Sequence, residues 1–203
     1  MPQRKKLILG LLGLLALGGC ATTAPEIDAT LLQKATEGNA MAQYEMGMSY
    51  WRASRSGWNI DEQYAAEAEQ WFAKAADQGD PRAQYELAQY YFGANDRGES
   101  FRLTHAAAVQ GLAEAQYSLG MHYGQAWGTA QDLILAYKWL ALGNEGGVVG
   151  GSLADVDWLV WKANMNADQV TEGKRLAAEH TKLYGKSQRA HTMAQMPDKM
   201  TPP

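Results

Sequence analysis

The chain has 203 residues, of which 46% are hydrophobic and 20% are charged, and its formal net charge at pH 7 is −4. This mildly acidic balance argues against nucleic acid as a partner and against membrane binding through a polybasic surface. A single cysteine excludes an intramolecular disulfide, so a fold of this length has to be stabilised by packing.

The N-terminus is predicted to be a targeting segment. Three basic residues at positions 4–6 precede an apolar run over residues 7–19. Thirteen residues are too few to cross a bilayer core of about 30 Å, but they suit the apolar region of a signal peptide. The run ends in Leu-Gly-Gly directly before Cys20, which resembles the lipobox of bacterial lipoproteins. An ordinary signal peptide with a chance cysteine is the alternative.

The lipobox resemblance implies cleavage before Cys20 and a diacylglycerol group on its sulfur. Two or three acyl chains, at about 0.8 kcal/mol per buried CH₂, would anchor the protein stably. Ala21 follows, where aspartate is the inner-membrane retention signal of enterobacterial lipoproteins. The predicted location is therefore the bacterial outer membrane, facing the periplasm, with residues 20–27 as a lipidated tether. Loss of residues 1–19 would remove three positive charges and change the net charge from −4 to −7.

One sequence motif, called the phrase below, occurs three times in the region that follows, beginning at Ala35, Ala76 and Ala108. Each copy has Ala, Gly three residues later, then Ala-Gln-Tyr, then Leu or Met, a small residue and Tyr. Successive Ala-Gln-Tyr triplets are 41 and 32 residues apart. Self-similarity at this spacing is typical of stacked repeat architectures.

Each phrase predicts a helix, a glycine turn and a second helix. The second helix has an apolar stripe at i, i+4 and i+8, formed in the first copy by Ala42, Met46 and Tyr50. Glycine adopts the left-handed conformation that ends the preceding helix, and these glycines are Gly38, Gly79 and Gly111. A small residue on the second helix predicts close approach of a neighbour. These small residues are Gly47, Ala88 and Gly120.

Capping residues and apolar periodicity place the remaining elements. The helices are predicted at about 29–37, 40–51, 61–78, 99–110, 132–142, 152–161 and 166–184, in addition to the second and third phrase helices. Residues 52–60 are interpreted as an inserted loop, and the glycine cluster at 143–151 as non-helical. Residues 28–184 are predicted to form one repeat domain and residues 185–203 a disordered tail.

These residues resemble the Sel1-like repeat, a relative of the tetratricopeptide repeat with the approximate pattern A-x-x-G-x-x-x-A-Q-x-x-L-G-x-x-Y. The resemblance covers about residues 30–145. It implies an all-α fold, an α-solenoid of stacked antiparallel helix pairs, and protein–protein interaction. The last helices resemble the C-terminal capping helices of this family.

Nine positions differ between copies while the framework around them is constant. If each helix pair is counted from the helix that carries Ala-Gln-Tyr, these positions lie on the first helix of a pair. In solenoids this helix usually lines the concave groove, so these positions form the predicted partner-binding face. They are Glu45, Met48, Ser49, Glu86, Gln89, Tyr90, Ser118, Met121 and His122. Tyr90 and Met121 are the predicted anchors, and His122 is expected to add a pH response because its unperturbed pKa is near 6.5. A solvated face without a partner is the alternative.

No catalytic motif and no metal-binding histidine pair is present in the sequence, so we expect no enzymatic activity, no cofactor and no metal. The chain is predicted to be a monomeric, membrane-anchored periplasmic scaffold for one or more envelope proteins. A binder of cell-wall glycan is the second hypothesis, with Trp58 and Trp127 as its first candidates. An envelope hydrolase is the third.

Overall fold

The computed structural model describes residues 24–55, 60–146 and 153–195, and these ranges hold nine helices and no strand. The helices are α1 (Ala29–Thr36), α2 (Ala40–Ser54), α3 (Glu62–Asp77), α4 (Pro81–Gly93), α5 (Arg97–Val109), α6 (Ala113–Gln125), α7 (Leu133–Glu145), α8 (Leu153–Lys162) and α9 (Ala167–Gln195). The predicted fold class, all-α helical repeats, is confirmed. In the described ranges no helix combines the length and the apolar character needed to span a membrane.

The helices fall into two compact units, an N-terminal unit over residues 1–87 and a C-terminal unit over residues 88–203. In the N-terminal unit α2 packs against α1 and α3. In the C-terminal unit α6 packs against α5 and α7, and α7 also packs against α8 and α9. The boundary falls inside α4.

The first Ala, the Gly and the Gln of each phrase meet at one carbonyl oxygen. In the first copy the Ala35 carbonyl accepts a hydrogen bond from the Gly38 backbone N–H at 3.1 Å and one from the Gln43 side-chain amide at 3.1 Å. The other copies repeat both bonds: Ala76 accepts from Gly79 (2.9 Å) and Gln84 (3.4 Å), and Ala108 accepts from Gly111 (3.0 Å) and Gln116 (3.2 Å). The glutamine therefore ties the second helix of the phrase to the end of the first.

The glycine of each phrase produces the turn between these helices. Gly38, Gly79 and Gly111 have φ angles of 95°, 88° and 93°, in the left-handed region. The next N–H donates to a carbonyl five residues back, as in the 3.0 Å bond from Asn39 to Lys34. These two bonds complete a Schellman motif, which confirms the predicted role of the glycines.

Two of the three phrase helices begin with a side-chain cap. Asn39 Oδ1 accepts from the Ala42 N–H at 2.9 Å, and Asp80 Oδ1 accepts from the Arg82 N–H at 2.9 Å. Leu112 holds the same position in the third copy and has no side-chain cap bond. Asn39 and Asp80 are therefore the N-caps of α2 and α4.

The small residue of the phrase allows close helix packing, as predicted. A Cβ atom added to Gly47 would lie 2.6 Å from the Phe72 ring. At Gly120 it would lie 2.6 Å from Leu140 Cγ and 2.8 Å from the Leu140 backbone nitrogen. Since real Cβ atoms do not approach other atoms this closely, only glycine fits at these two contacts without a shift of the neighbour.

In the second copy, different residues form the corresponding contact between helices. Ala88 replaces the glycine, and Thr104 stands where the other copies have a large apolar side chain; both residues are 0% exposed. Thr104 Oγ1 and Ser100 Oγ are buried and have no hydrogen-bond partner among the described residues. Because a buried hydroxyl without a partner costs about 1–3 kcal/mol, these two side chains weaken α5.

Three helices extend three or more residues beyond their predicted ends. α2 continues to Ser54, three residues into the predicted loop. α7 continues through Gly143 to Glu145, where the glycine cluster was predicted to be non-helical. Gly143 serves packing instead, because a Cβ there would lie 2.6 Å from the Tyr117 backbone nitrogen. α9 continues to Gln195, so residues 185–195 are helical where a tail was predicted.

We expect Gly120→Ala to lower the free energy of unfolding by about 1–3 kcal/mol, because the added methyl group meets backbone atoms of α7. Urea denaturation measures the change. Gly93→Ala is the matched control in the same unit, since a Cβ at Gly93 has no atom within 4 Å. It should be neutral or slightly stabilising because alanine is the better helix former. Equal midpoints for the two variants would contradict the close-packing role of Gly120.

Candidate functional site

The predicted partner-binding residues lie on α2, α4 and α6, distributed over the two units. The N-terminal unit carries Glu45, Met48, Ser49 and Glu86, and the C-terminal unit carries Gln89, Tyr90, Ser118, Met121 and His122. Gln89 is exposed, His122 is buried and the others are half-buried. Partner binding by these residues stays a prediction.

In the N-terminal unit the predicted face adjoins a network of Tyr44, Arg82 and Asp80. The Arg82 guanidinium lies over the Tyr44 ring, 4.2 Å from its centroid. Asp80 accepts from Arg82 Nε at 3.2 Å and from Nη2 at 2.8 Å. Asp80 thus caps α4 and also holds the Arg82 side chain against Tyr44.

Two of the predicted partner-binding residues, Glu45 and Glu86, raise the pKa of Tyr44 in this network. Burial is the main cause that raises the pKa of Tyr44 to about 12, and the Glu86 carboxylate is the next. Arg82 opposes the rise, while Glu45 and Asp80 add to it. Three carboxylates and one guanidinium therefore act on Tyr44, so negative charges outnumber positive ones around it.

His122 is not on an accessible face, contrary to the prediction. Its side chain is 3% exposed and lies among Phe92, Phe101 and Trp127, with ring centroids 5.9, 5.9 and 6.0 Å away. Its Nδ1 donates to the Trp127 carbonyl at 2.7 Å, and the Trp127 N–H donates to the His122 carbonyl at 3.0 Å. The segment after α6 folds back over this histidine, which the pattern of the phrase did not reveal.

The titration of His122 follows from this burial. Burial lowers the pKa of His122, the hydrogen bond to the Trp127 carbonyl raises it less, and Arg97 lowers it further. The imidazole is therefore neutral at pH 7. We therefore expect protonation of His122 to change the folding stability of the protein and not its contact with a partner.

Two other predicted contact residues are packed within the C-terminal unit. Met121 lies against the hydrophobic core formed around Ala136 and Leu140, so its truncation would reduce stability. Trp127, a candidate for glycan binding, packs edge-on against Phe92 with centroids 5.1 Å apart. Trp58 lies outside the described residues.

Sequence reasoning missed a basic cluster on α5, α7 and α9. The Trp139 ring lies 6.3 Å from the His105 ring and 5.1 Å from the His180 ring, measured between centroids. Lys138 Nζ lies 4.3 Å from the centroid of the same Trp139 ring. The two histidines are 75 residues apart in the sequence, so no local motif indicated this cluster. In the described ranges, no group of three or more His, Cys, Asp or Glu side chains is arranged to hold a metal ion.

We expect the protein to lose stability as the pH falls from 7.5 to 5.5. Burial is the main cause that lowers the pKa values of His105, His122 and His180. Below about pH 6.5 the unfolded chain therefore binds protons before the folded chain does, and the free energy of unfolding falls. The slope is at most about 1.4 kcal/mol per pH unit for each histidine that titrates only in the unfolded state.

Urea midpoints measured across this pH range test the expectation. His122→Asn keeps a donor near the position of Nδ1 and removes one titrating group, so its pH dependence should be smaller than that of the wild type. A midpoint that is constant between pH 7.5 and 5.5 would contradict the neutral, buried state of these histidines.

Comparisons with known proteins agree with the helical pattern. The Sel1 repeat family model matches residues 40–80, 81–112 and 113–148, which together are more than half of the chain. No curated protein sequence matches the chain at a significant level.

Two solved structures are similar to the chain. One is the crystal structure of c5321, a protective antigen present in uropathogenic Escherichia coli strains that displays an SLR fold. It has a TM-score of 0.68 and 22% identity, and the match covers 85% of this chain and 36% of that chain, so this chain spans about a third of its length. The other is a Sel1 repeat protein from Oxalobacter formigenes, with a TM-score of 0.51 and 32% identity over 60% of this chain and 91% of that chain. Because the family model matches three consecutive repeats over more than half of the sequence, the chain belongs to the Sel1 repeat family.

Proposed function

We propose that the protein is a lipid-anchored scaffold of the bacterial envelope that binds a partner polypeptide through α2, α4 and α6, the helices that carry the Ala-Gln-Tyr triplets. Sel1 repeat proteins are typically protein-interaction scaffolds, and their fold is generally non-catalytic. One observation carries the proposal. The constant residues of each phrase are used for turns and packing, whereas most of the varying residues keep part of their side chains at the surface.

The contrast is clear on α2. Ala42 and Met46 are buried in the core of the N-terminal unit, and Gln43 is bonded to the preceding helix. The varying residues Glu45 and Met48 of the same helix are half-buried and retain surface for a partner. Since packing already explains the constant positions, the varying positions are available for recognition.

The charges near α2 indicate the chemistry of the partner. Glu45 and Glu86 act on Tyr44 together with Asp80, and Asp80 binds the Arg82 guanidinium. A partner segment that carries lysine or arginine would complement this negative region. In the C-terminal unit the proposed contacts are Gln89, Tyr90 and Ser118, since His122 is buried and Met121 supports the core.

The lipid anchor and its location are proposed from the sequence around Cys20, which lies outside the described residues. Asp28 accepts from the Thr30 N–H at 2.9 Å and so starts α1. The eight residues from 20 to 27, fully extended, reach at most about 28 Å. A lipid on Cys20 would therefore hold α1 close to the membrane surface. We propose the outer membrane, with the protein facing the periplasm.

We expect Cys20→Ser to abolish lipid labelling, because serine has no sulfur for the thioether. Metabolic labelling with palmitate and fractionation of the envelope measure this. Ala21→Ser is the neighbouring control and should still label and fractionate with the outer membrane. The anchor proposal is refuted if Cys20→Ser labels as strongly as the wild type.

We expect the double substitution Glu45→Gln and Glu86→Gln to weaken partner recovery at least tenfold, since it removes two charges while conserving shape. Crosslinking in the native envelope followed by mass spectrometry measures recovery. Glu62→Gln with Glu69→Gln is the control, because both glutamates are exposed on α3 in the same unit. Circular dichroism should show equal helix content in all variants.

Two outcomes would decide against the proposed face. Unchanged recovery by the Glu45 and Glu86 variant would exclude these residues as partner contacts. If no polypeptide is recovered and the purified protein binds cell-wall glycan, the glycan-binding hypothesis replaces the scaffold.

A further inference from the structure

The segment between α6 and α7, residues 126–131, is called the strap below. It is joined to His122 by two hydrogen bonds, from His122 Nδ1 to the Trp127 carbonyl at 2.7 Å and from the Trp127 N–H to the His122 carbonyl at 3.0 Å. The Trp127 ring also packs edge-on against Phe92, with centroids 5.1 Å apart. The strap therefore covers part of the His122 imidazole, which is 3% exposed.

The path of the strap depends on two residues in the left-handed region. Ala126 has a φ angle of 58° and Gly128 has one of 72°. A Cβ atom added to Gly128 would overlap the carbonyl group of Arg97 at the start of α5. Glycine at this position is therefore needed both for the backbone angle and for the close contact between the strap and α5.

The strap is attached to the rest of the unit by few contacts. Besides the bonds to His122, Gln131 Nε2 donates to the Gly124 carbonyl at 2.9 Å. None of the six strap residues is buried, and only Trp127 and Thr129 are half-buried. A segment with so little buried apolar surface opens at a lower free energy than the helices that form the core.

The elements around His122 bring one cation and no opposing carboxylate. The strap, residues 118–125 of α6 and residues 87–93 of α4 contain no charged residue. On α5, Arg97 lies over the Phe92 ring, 3.4 Å from its centroid, and donates to the Phe92 carbonyl at 3.0 Å. Among the described residues, Arg97 is the only charged side chain that acts on the pKa of His122.

The other titratable groups nearby have different partners. Asp96 caps α5, and the Glu99 carboxylate is bound by an arginine of its own helix. Asp132 caps α7 and raises the pKa of Tyr123 after burial has done so, which leaves that tyrosine neutral. His105 packs against the Phe101 ring, and burial and Lys138 lower its pKa.

We propose that the strap is a pH-sensitive device that opens locally, without unfolding of the helices, when His122 takes up a proton. Opening would bring water to the imidazole and to the Phe92 and Phe101 rings, whose centroids lie 5.9 Å from it. The proposal goes beyond the proposed function, because it concerns a conformational change within the C-terminal unit and requires no partner.

The direction of the pH dependence follows from linkage. Burial is the main cause that lowers the pKa of His122 under the closed strap. Once the strap opens, water reaches the ring and its pKa returns toward the ordinary value of about 6.5. Below this pH the open form binds a proton that the closed form does not, so acidification favours opening. For one group, the ratio of open to closed strap rises by at most about tenfold between pH 7.0 and 5.5.

Hydrogen exchange followed by NMR in the purified full chain tests the proposal. The Trp127 N–H reports on the strap, and the Leu140 N–H reports on the core of the same unit. After correction for intrinsic exchange rates, the Trp127 N–H should be the less protected of the two. It should also lose protection at least threefold between pH 7.0 and 5.5. His122→Asn should remove this loss, whereas His105→Asn, the matched control, should retain it.

Gly128→Ala tests the geometry by a second route. The added methyl group has no room beside Arg97, so the strap should stay open at every pH. The pKa of His122, measured from its ring-proton signals, should then rise toward its ordinary value. Gly93→Ala is the control, since a Cβ at Gly93 has no atom within 4 Å.

A second strap variant is available if Gly128→Ala does not fold. Gln131→Ala removes the bond to the Gly124 carbonyl from an exposed position and should raise the same pKa by a smaller amount. Circular dichroism checks that the helix content of each variant equals that of the wild type.

Three results would each overturn the proposal. In the first, the Trp127 N–H exchanges as slowly as the Leu140 N–H at both pH values, so that the strap opens only with the whole unit. In the second, protection of the Trp127 N–H does not change with pH. In the third, the pKa of His122 is the same in a folded strap variant as in the wild type.

Discussion

Each repeat depends on one carbonyl oxygen with two donors. The oxygen of Ala35 belongs to the last turn of α1, where backbone carbonyls lack intrahelical partners. A glycine N–H and a glutamine amide both donate to it, and the pair recurs at Ala76 and Ala108. Because the glutamine lies eight residues further along the chain, its bond fixes how the second helix lies on the first. The Ala, Gly and Gln that are constant in the phrase thus form the same turn in all three copies.

Packing distance is the second constraint, and the repeats satisfy it with different pairs of residues. Gly47 accommodates the ring of Phe72, and Gly120 accommodates Leu140. The second copy has a larger residue at the first position and the smaller Thr104 at the other. Volume is therefore conserved approximately while the chemistry changes, which is how a repeat keeps its geometry as its sequence diverges.

The turn and capping preferences of residues close in sequence made much of this fold predictable. The turn at Gly38 and the cap at Asn39 follow from residues within one turn of each other, and both are present. Gly143 misled the helix prediction because its role is set by Tyr117, a residue on another helix. His122 was placed on the surface because the phrase does not encode the segment that covers it. The Lys138 cluster joins three helices, so only the tertiary structure could reveal it.

The two hydroxyls of α5 that have no hydrogen-bond partner among the described residues affect how the C-terminal unit fluctuates. Ser100 and Thr104 lose their bonds to water when α5 docks and regain them whenever it opens. The cost of burying these two hydroxyls reduces the free energy needed to open α5, so this helix opens more readily than helices without such groups. His105 is carried on α5. Opening of α5 exposes this imidazole to water, so protonation of His105 and local unfolding are thermodynamically linked.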